Sequence, residues 1–207
     1  MVLDEIRRLK IVPVIVIDDA AQALGLADAL AGGGLPCAEI TFRTPAAGDA
    51  LRRIAAERPN VLAGAGTVLT TEQASRARDA GAKFIVSPGI NPKVVEWCQD
   101  HGLPIFPGVC TPTEIETALS CGLDVVKFFP AEASGGVSYL KAVAAPFPDL
   151  GFMPTGGITA ANVREYLAFT RVVACGGSWM APQDWIRQGA FDRIRDAVAT
   201  AMSAVHG

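Results

Sequence analysis

The sequence has few of the residues on which metal sites, disulfide frameworks and histidine-based catalysis depend. Its two histidines, His101 and His206, lie near a predicted helix end and at the C-terminus, so they suit neither a metal cluster nor a catalytic dyad. The five cysteines are odd in number, scattered and without C-x-x-C spacing, which disfavours a disulfide framework and a zinc site. Metal-dependent chemistry is therefore not expected.

Long hydrophobic runs and strong charge are also missing. The net charge is -3, and no run of Lys or Arg could follow a nucleic-acid backbone. No apolar run approaches the roughly 20 residues that span a bilayer, and the start MVLDEIRRLK is amphipathic and charged rather than a signal peptide. These absences predict a cytoplasmic protein that binds neither nucleic acid nor membranes.

The length and the rhythm of the chain predict its architecture. At 207 residues, half of them hydrophobic, the chain is long enough for one well-filled core and short for two, which predicts a single domain, 1–207. Short apolar runs alternate with longer segments of helical periodicity, which indicates a repeated βα unit. The eight predicted strands are residues 11–17, 37–42, 61–68, 83–89, 104–109, 124–130, 151–157 and 172–178.

Most of these strands are apolar on both faces, as in a parallel sheet that is covered on both sides. Eight such units predict an α/β fold, a single closed (β/α)8 TIM barrel, with a doubly wound open sheet as the alternative. We expect an extra N-terminal helix at residues 3–10 and a last helix at 191–205. Since barrel active sites collect at the C-terminal ends of the strands, polar residues late in a strand become the candidate site residues.

The segment DVVKFFPAE places Lys127 inside an apolar run, and Glu39 is in the same situation in the second predicted strand. One interpretation is a buried ion pair with a structural role. The other is catalytic: burial among apolar side chains disfavours the charged form of a lysine and leaves more of the neutral amine that attacks carbonyls. A Schiff base on Lys127 then becomes plausible, and Glu39 could move protons beside it.

Two further polar residues could bind a carboxylate. Arg43 lies four residues after Glu39, where its planar guanidinium could hold a carboxylate with two hydrogen bonds. Thr67, in GAGTV, could add a hydroxyl while the neighbouring glycines allow close backbone approach. A surface arginine and an ordinary strand threonine remain open as alternatives.

Glycine pairs end the last two predicted strands, in TGGI (155–158) and GGSW (176–179). Barrels commonly hold a phosphate at these two strand ends with backbone N–H groups and a helix N-terminus. One such pair would be weak support, but two at these positions are moderately specific. The candidate phosphate ligands are Gly156, Gly157, Gly176, Gly177 and Ser178.

The motifs EITFRTP, GAGTV, VSPG, VVKFFPAE, PTGGI and GGSW, in this order over nearly the whole chain, resemble the 2-keto-3-deoxy-6-phosphogluconate (KDPG/KHG) aldolase family. The resemblance implies a class I aldolase on a (β/α)8 barrel, a homotrimer without metal or organic cofactor, of the Entner–Doudoroff pathway. Such enzymes cleave the phosphorylated keto acid to pyruvate and glyceraldehyde 3-phosphate. Many also cleave 4-hydroxy-2-oxoglutarate to pyruvate and glyoxylate.

The same resemblance assigns a role to each matched residue. Lys127 becomes the Schiff-base lysine and Glu39 the proton acceptor and donor. Arg43 and Thr67 become the residues that bind the pyruvyl carboxylate, and Pro88 and Phe129 line the pyruvate pocket. Thr155 helps to select the stereochemistry of the aldehyde half. The phosphate is held by Gly156, Gly157, Gly177 and Ser178.

Three alternatives stay open at this point. The same chemistry could act on the galactonate epimer, which differs at C4. An isomerase or epimerase on a phosphate-binding barrel would use the glycine pairs without a covalent lysine. A catalytically silent phosphate-binding domain would use Lys127 and Glu39 merely as an ion pair.

Overall fold

A computed structural model describes residues 1–206, and Gly207, the last residue of the predicted domain, lies outside them. Strands and helices alternate through most of this range. The strands are β1 Ile11–Ile15, β2 Cys37–Thr41, β3 Leu62–Gly66, β4 Ile85–Val86, β5 Ile105–Phe106, β6 Gly108–Val109, β7 Val125–Phe128, β8 Gly151–Pro154 and β9 Cys175–Gly177. The α-helices are α1 Val2–Leu9, α2 Ala23–Gly32, α3 Ala47–Glu57, α4 Thr71–Asp79, α5 Pro92–Asp100, α6 Pro112–Ser120, α7 Gly136–Ala144, α8 Val163–Leu167, α9 Gln183–Arg187 and α10 Phe191–His206, and a 3₁₀ turn covers Ala20–Gln22.

The strands form two parallel sheets. Six strands lie in the order β5-β4-β3-β2-β1-β9, and three in the order β6-β7-β8. Two isolated parallel bridges, Phe152–Val172 and Thr155–Gly176, lie between the β8 region and the β9 region. The predicted α/β fold with parallel strands is confirmed, and each predicted strand segment contains an observed strand.

The fifth predicted strand, 104–109, differs from the prediction because it is divided in two. β5 pairs with β4 in the larger sheet, whereas β6 pairs with β7 in the smaller one. Pro107 lies between them, and proline has no N–H to donate to a sheet ladder. Its carbonyl still accepts a hydrogen bond from the Lys127 N–H at 2.9 Å.

Helix boundaries follow local chemistry. Thr111 caps α6 in a capping box with Glu114, and Pro112 takes the first helical position. Gly81 and Gly102 follow α4 and α5 with left-handed φ values of 93° and 62°, as helix-terminating glycines do. The predicted first helix begins and ends one residue earlier than expected, whereas the last helix begins as predicted and ends one residue later. Among the helices of residues 1–206, none combines the length and the apolar character that a bilayer crossing requires.

Candidate active site

Five polar or charged side chains are buried in the described chain, and all of them lie in a strand or directly after one: Glu39, Thr41, Ser87, Lys127 and Thr155. Two of them have their own structural partners. The Thr41 hydroxyl donates to the Ile15 carbonyl at 2.7 Å, and the Ser87 hydroxyl donates to the Gly89 carbonyl at 2.7 Å. Glu39, Lys127 and Thr155 are left as the buried polar groups whose presence packing does not explain.

The structure brings Lys127 and Glu39 together. Their side chains come from β7 and β2, in different sheets, with exposed fractions of 4% and 1%, and the Lys127 Nζ lies 3.8 Å from the Glu39 Oε1. This distance is within ion-pair range but too long for a hydrogen bond. The amine therefore faces the carboxylate across a short gap.

The Glu39 carboxylate has no hydrogen-bond partner within residues 1–206, although both of its oxygens are buried. Burial raises the pKa of the Glu39 carboxyl above its ordinary value, while the charges of Lys127 and Arg43 act in the opposite direction. An unpartnered buried carboxylate costs free energy. Such a group fits a role in which it exchanges protons with a ligand.

Phe129 forms one wall beside this pair. The Lys127 Nζ lies 5.0 Å from the centroid of the Phe129 ring, which is half-buried. Pro88 is also half-buried, and its carbonyl lies against Gly108, the register partner of Lys127 in β6. Both predicted pocket residues are thus close in the fold to the strand that carries the lysine.

Arg43 and Thr67 also meet. The Arg43 Nε donates to the Thr67 Oγ1 at 3.0 Å, and Arg43 is exposed. Thr67 has a φ of 58°, in the left-handed region that β-branched residues rarely adopt. A threonine in this conformation is strained, and such strain is concentrated at functional sites. This strained turn follows β3 directly and holds the hydroxyl toward the guanidinium.

Thr155 follows β8 and is 6% exposed. Its hydroxyl makes one hydrogen bond, to the Met153 carbonyl, at the outer limit of 3.5 Å. A Cβ atom on Gly176 would lie 2.3 Å from the Thr155 Oγ1. Gly176, which the sequence analysis also grouped with the phosphate ligands, is buried, and its missing side chain makes room for the threonine.

The predicted phosphate ligands lie at or directly after the ends of two chain segments, β8 and β9, which the Thr155–Gly176 bridge brings side by side. Gly156 and Gly157 have φ values of 100° and 80°, so glycine is required at both positions by the backbone alone. The Gly156 carbonyl accepts from the Glu132 N–H at 3.0 Å, and the Asn162 side chain donates to the Gly157 carbonyl at 3.1 Å. These two hydrogen bonds fix the carbonyl groups of the loop.

The second loop differs from the expected helix N-terminus. Gly177 is buried and Ser178 is exposed, and α9 begins only at Gln183. Any phosphate at this loop would be held by backbone N–H groups and by the Ser178 hydroxyl. A Cβ atom on Gly177 would lie 1.9 Å from the Trp179 ring, so the ring covers this glycine closely.

Sequence reasoning missed one residue at the centre of the site. A Cβ atom on Gly66 would lie 2.1 Å from the Glu39 Oε1. The motif GAGTV signalled a close approach to the backbone, but nothing in the sequence identifies the group that approaches.

Most of the chain is similar to one family of aldolases. The sequence model described as "Aldolase: KDPG and KHG aldolase" matches residues 2–197. The 2-dehydro-3-deoxy-phosphogluconate aldolase of Haemophilus influenzae is 53% identical over 193 residues, which cover 93% of this chain and 91% of that protein.

Solved structures show the same relationship. A KDPG aldolase from Legionella pneumophila, with pyruvate captured at low pH as a covalent carbinolamine intermediate, has a TM-score of 0.92 and 38% identity over 96% of this chain and 97% of that one. The Zymomonas mobilis ZM4 2-keto-3-deoxy-6-phosphogluconate aldolase with 3-phosphoglycerate has a TM-score of 0.89 and 37% identity, over 97% and 95% of the two chains.

Proposed function

Since the chain belongs to the KDPG and KHG aldolase family, we propose that it is a class I aldolase that cleaves 2-dehydro-3-deoxy-6-phosphogluconate to pyruvate and glyceraldehyde 3-phosphate. The observation that carries the proposal is the buried Lys127 amine, 3.8 Å from a buried carboxylate oxygen of Glu39 that has no other partner in the described chain. The small keto acid 4-hydroxy-2-oxoglutarate is proposed as a second substrate. The family match supports an aldolase over the isomerase and over the silent binding domain.

The reaction begins at Lys127. Its Nζ attacks the C2 ketone carbon of the substrate, and loss of water from the carbinolamine gives an iminium ion. Glu39 accepts the proton of the C4 hydroxyl, directly or through a water molecule. The electron pair of the C3–C4 bond then moves toward C2, the iminium becomes an enamine, and C4 leaves as the aldehyde carbon of glyceraldehyde 3-phosphate.

The second half of the cycle regenerates the lysine. The enamine takes a proton at C3, for which protonated Glu39 is the donor. Water then adds to the resulting iminium, which releases pyruvate and the free Lys127 amine. No step requires a metal ion or an organic cofactor.

The remaining site residues bind the substrate in this proposal. Arg43 and Thr67 hold the carboxylate next to the ketone, because a guanidinium and a hydroxyl already paired at 3.0 Å offer converging donors. Pro88 and Phe129 contact the pyruvyl carbons. Thr155 contacts the hydroxyl groups of the aldehyde half. The phosphate is assigned to the two glycine loops, with Gly156, Gly157, Gly177 and Ser178 as its ligands.

We also propose that the two sheets belong to one closed (β/α)8 barrel in a single domain. Support comes from the sheet edges, where only Pro107 separates β5 from β6 and two bridges link the β8 region to the β9 region. A homotrimer is proposed from the family resemblance alone.

Borohydride trapping tests the proposed function. We expect incubation with pyruvate and sodium borohydride to add one reduced pyruvyl group, which peptide mass mapping places on Lys127. The exposed Lys83 and Lys93 serve as internal controls and should stay unmodified. An active preparation with an unmodified Lys127 would refute the proposal, and so would a preparation that releases no pyruvate from the phosphorylated substrate.

The pH dependence of kcat/KM should show the raised pKa of Glu39. Because Glu39 acts as a base in cleavage, the rate falls as the pH falls through its pKa, and burial places that pKa above the ordinary value of about 4.3 for Glu. The acid limb of a kcat/KM profile should therefore lie above this value. It should change position in Glu39→Gln, which distinguishes Glu39 from the Lys127 amine, whose protonation also stops the reaction. Circular dichroism is the control for folding. An acid limb at or below about 4.3 would contradict this prediction.

Replacement of Arg43 should raise KM for the substrate much more than it lowers kcat. Because hydrogen bonds to charged groups are worth about 1.5–3 kcal/mol, Arg43→Met should raise KM by about 10- to 100-fold and change kcat little. Steady-state kinetics with a coupled pyruvate assay measures both constants. Arg52→Met, at an exposed arginine of α3 paired with Asp49, is the matched control. Equal KM values for the two variants would remove Arg43 from the site.

A further inference from the structure

Gly66 is the last residue of β3, and Thr41 of β2 is its register partner. Glu39, two residues before Thr41, extends its side chain over this glycine. A Cβ atom on Gly66 would lie 2.1 Å from Oε1, 2.7 Å from Cγ and 2.8 Å from Cδ of Glu39. The Glu39 carboxylate therefore occupies the space that any larger residue at position 66 would need.

The backbone itself does not require glycine at this position. The glycines whose φ lies in the left-handed region include Gly34 and Gly102, but Gly66 is not among them. Its conformation is one that alanine also adopts. The steric conflict with Glu39 is consequently the reason for glycine at position 66.

Relief of the conflict would move the carboxylate. Ordinary non-bonded contacts are about 3.5 Å or more. The Oε1 lies 2.1 Å from the position of this Cβ, so an alanine at position 66 would displace it by more than about 1 Å. Glu39 is buried among close-packed neighbours, and the displacement changes its 3.8 Å separation from the Lys127 Nζ. Misplacement of a catalytic group by about 1 Å can cost about 100-fold in rate.

We propose that Gly66 is a positioning residue for Glu39: the missing side chain lets the carboxylate lie against the strand backbone, opposite the Lys127 amine. This inference rests on the proposed function, because it assigns Glu39 the proton transfers of the aldolase. Gly66 itself touches neither the substrate nor the reacting atoms.

A substitution at Gly66 can also act on substrate binding, through Thr67, rather than on Glu39. Thr67 follows Gly66 directly, and its hydroxyl accepts the hydrogen bond from Arg43. A backbone shift at Gly66 would disturb carboxylate binding through Thr67 and raise KM. Displacement of Glu39 would instead lower kcat and slow the exchange of the pyruvate C3 protons with solvent.

The experiment is a double-mutant cycle between Gly66→Ala and Glu39→Ala. The Glu39→Ala variant lacks the three atoms nearest to the new Cβ, which are Oε1, Cγ and Cδ of Glu39. We expect Gly66→Ala alone to lower kcat by about 100-fold, to slow deuterium exchange at pyruvate C3, and to lower the melting temperature. In the Glu39→Ala background the same change should leave the residual kcat within about twofold and should not lower the melting temperature.

Gly25→Ala, in α2, is the matched control. Its Cβ would meet the Phe191 ring of α10 at 2.3 Å, and neither residue belongs to the proposed site. Its loss of melting temperature should be the same in the unaltered protein and in the Glu39→Ala background. Trapping of pyruvate on Lys127 after long incubation should persist in Gly66→Ala, because the lysine remains.

The outcomes separate the two proposals. If the unaltered protein cleaves substrate and Gly66→Ala keeps its kcat and its exchange rate, Gly66 is not a positioning residue. The same conclusion follows if Gly66→Ala raises only KM. It also follows if Gly66→Ala lowers kcat by the same factor in the Glu39→Ala background as in the unaltered protein. If the unaltered protein releases no pyruvate, the proposed function fails, and the melting temperatures of the cycle still decide whether Gly66 and Glu39 are coupled.

Discussion

Lys127→Arg is expected to reduce kcat/KM for cleavage by at least about 10⁴-fold, because removal of a covalent nucleophile is among the largest single losses known in enzymes. Arginine keeps the positive charge beside Glu39, so the buried carboxylate is not left without a cation. Its guanidinium stays protonated and cannot form an imine with the ketone. The variant should therefore fold, as judged by circular dichroism, and yet be inactive.

The measurement is a coupled assay of pyruvate release, together with borohydride trapping. Lys141→Arg, at an exposed lysine of α7, is the matched control and should retain full activity. Trapped pyruvate should disappear from Lys127→Arg and remain in the control. Cleavage by Lys127→Arg at more than about one hundredth of the normal rate would mean that the reaction does not pass through a Schiff base at this residue.

Glu39→Gln is expected to lower kcat by about 10²- to 10⁴-fold, the usual contribution of general acid–base catalysis. Glutamine has nearly the shape of glutamate and keeps the packing against Gly66, but its amide cannot accept the C4 hydroxyl proton. The Schiff base depends on Lys127, so trapping of pyruvate should persist after long incubation. Cleavage and deuterium exchange at pyruvate C3 should both be lost, because each needs a proton transfer.

The control for this variant is Glu116→Gln, at an exposed glutamate of α6. Proton NMR of pyruvate in deuterium oxide measures the exchange, and the coupled assay measures cleavage. A Glu39→Gln variant that cleaves substrate within about tenfold of the normal rate would exclude Glu39 as the proton carrier. Loss of trapping together with cleavage would instead indicate a structural role in holding Lys127.

Much of the site follows from the sequence because burial and charge conflict there. A lysine in VVKFF and a glutamate in CAEIT are visible as exceptions within apolar runs, and the structure confirms that both are buried and adjacent. The strand pattern likewise predicted the positions of the strands. Their lengths were overestimated at both ends: the predicted strand 83–89, for example, is observed only at Ile85–Val86.

The division of the fifth strand at Pro107 could not be predicted from hydrophobicity. The residues on both sides of it are apolar, and the assignment of β5 and β6 to different sheets depends on which neighbouring strand each one pairs with.

The left-handed conformation of Thr67 could not be predicted from the sequence either. Local propensity argues against it, and only the surrounding structure holds a β-branched residue there.

The sequence by itself determined the succession of strands and helices along the chain and the identity of the buried lysine and carboxylate, because these follow from periodicity, turn residues and misplaced charges. Its motifs carried the family resemblance. The tertiary structure alone decided how far apart Lys127 and Glu39 lie, that Arg43 reaches Thr67, and why position 66 has no side chain. These are distances between strands that are far apart in sequence, and they are set by packing rather than by local preference.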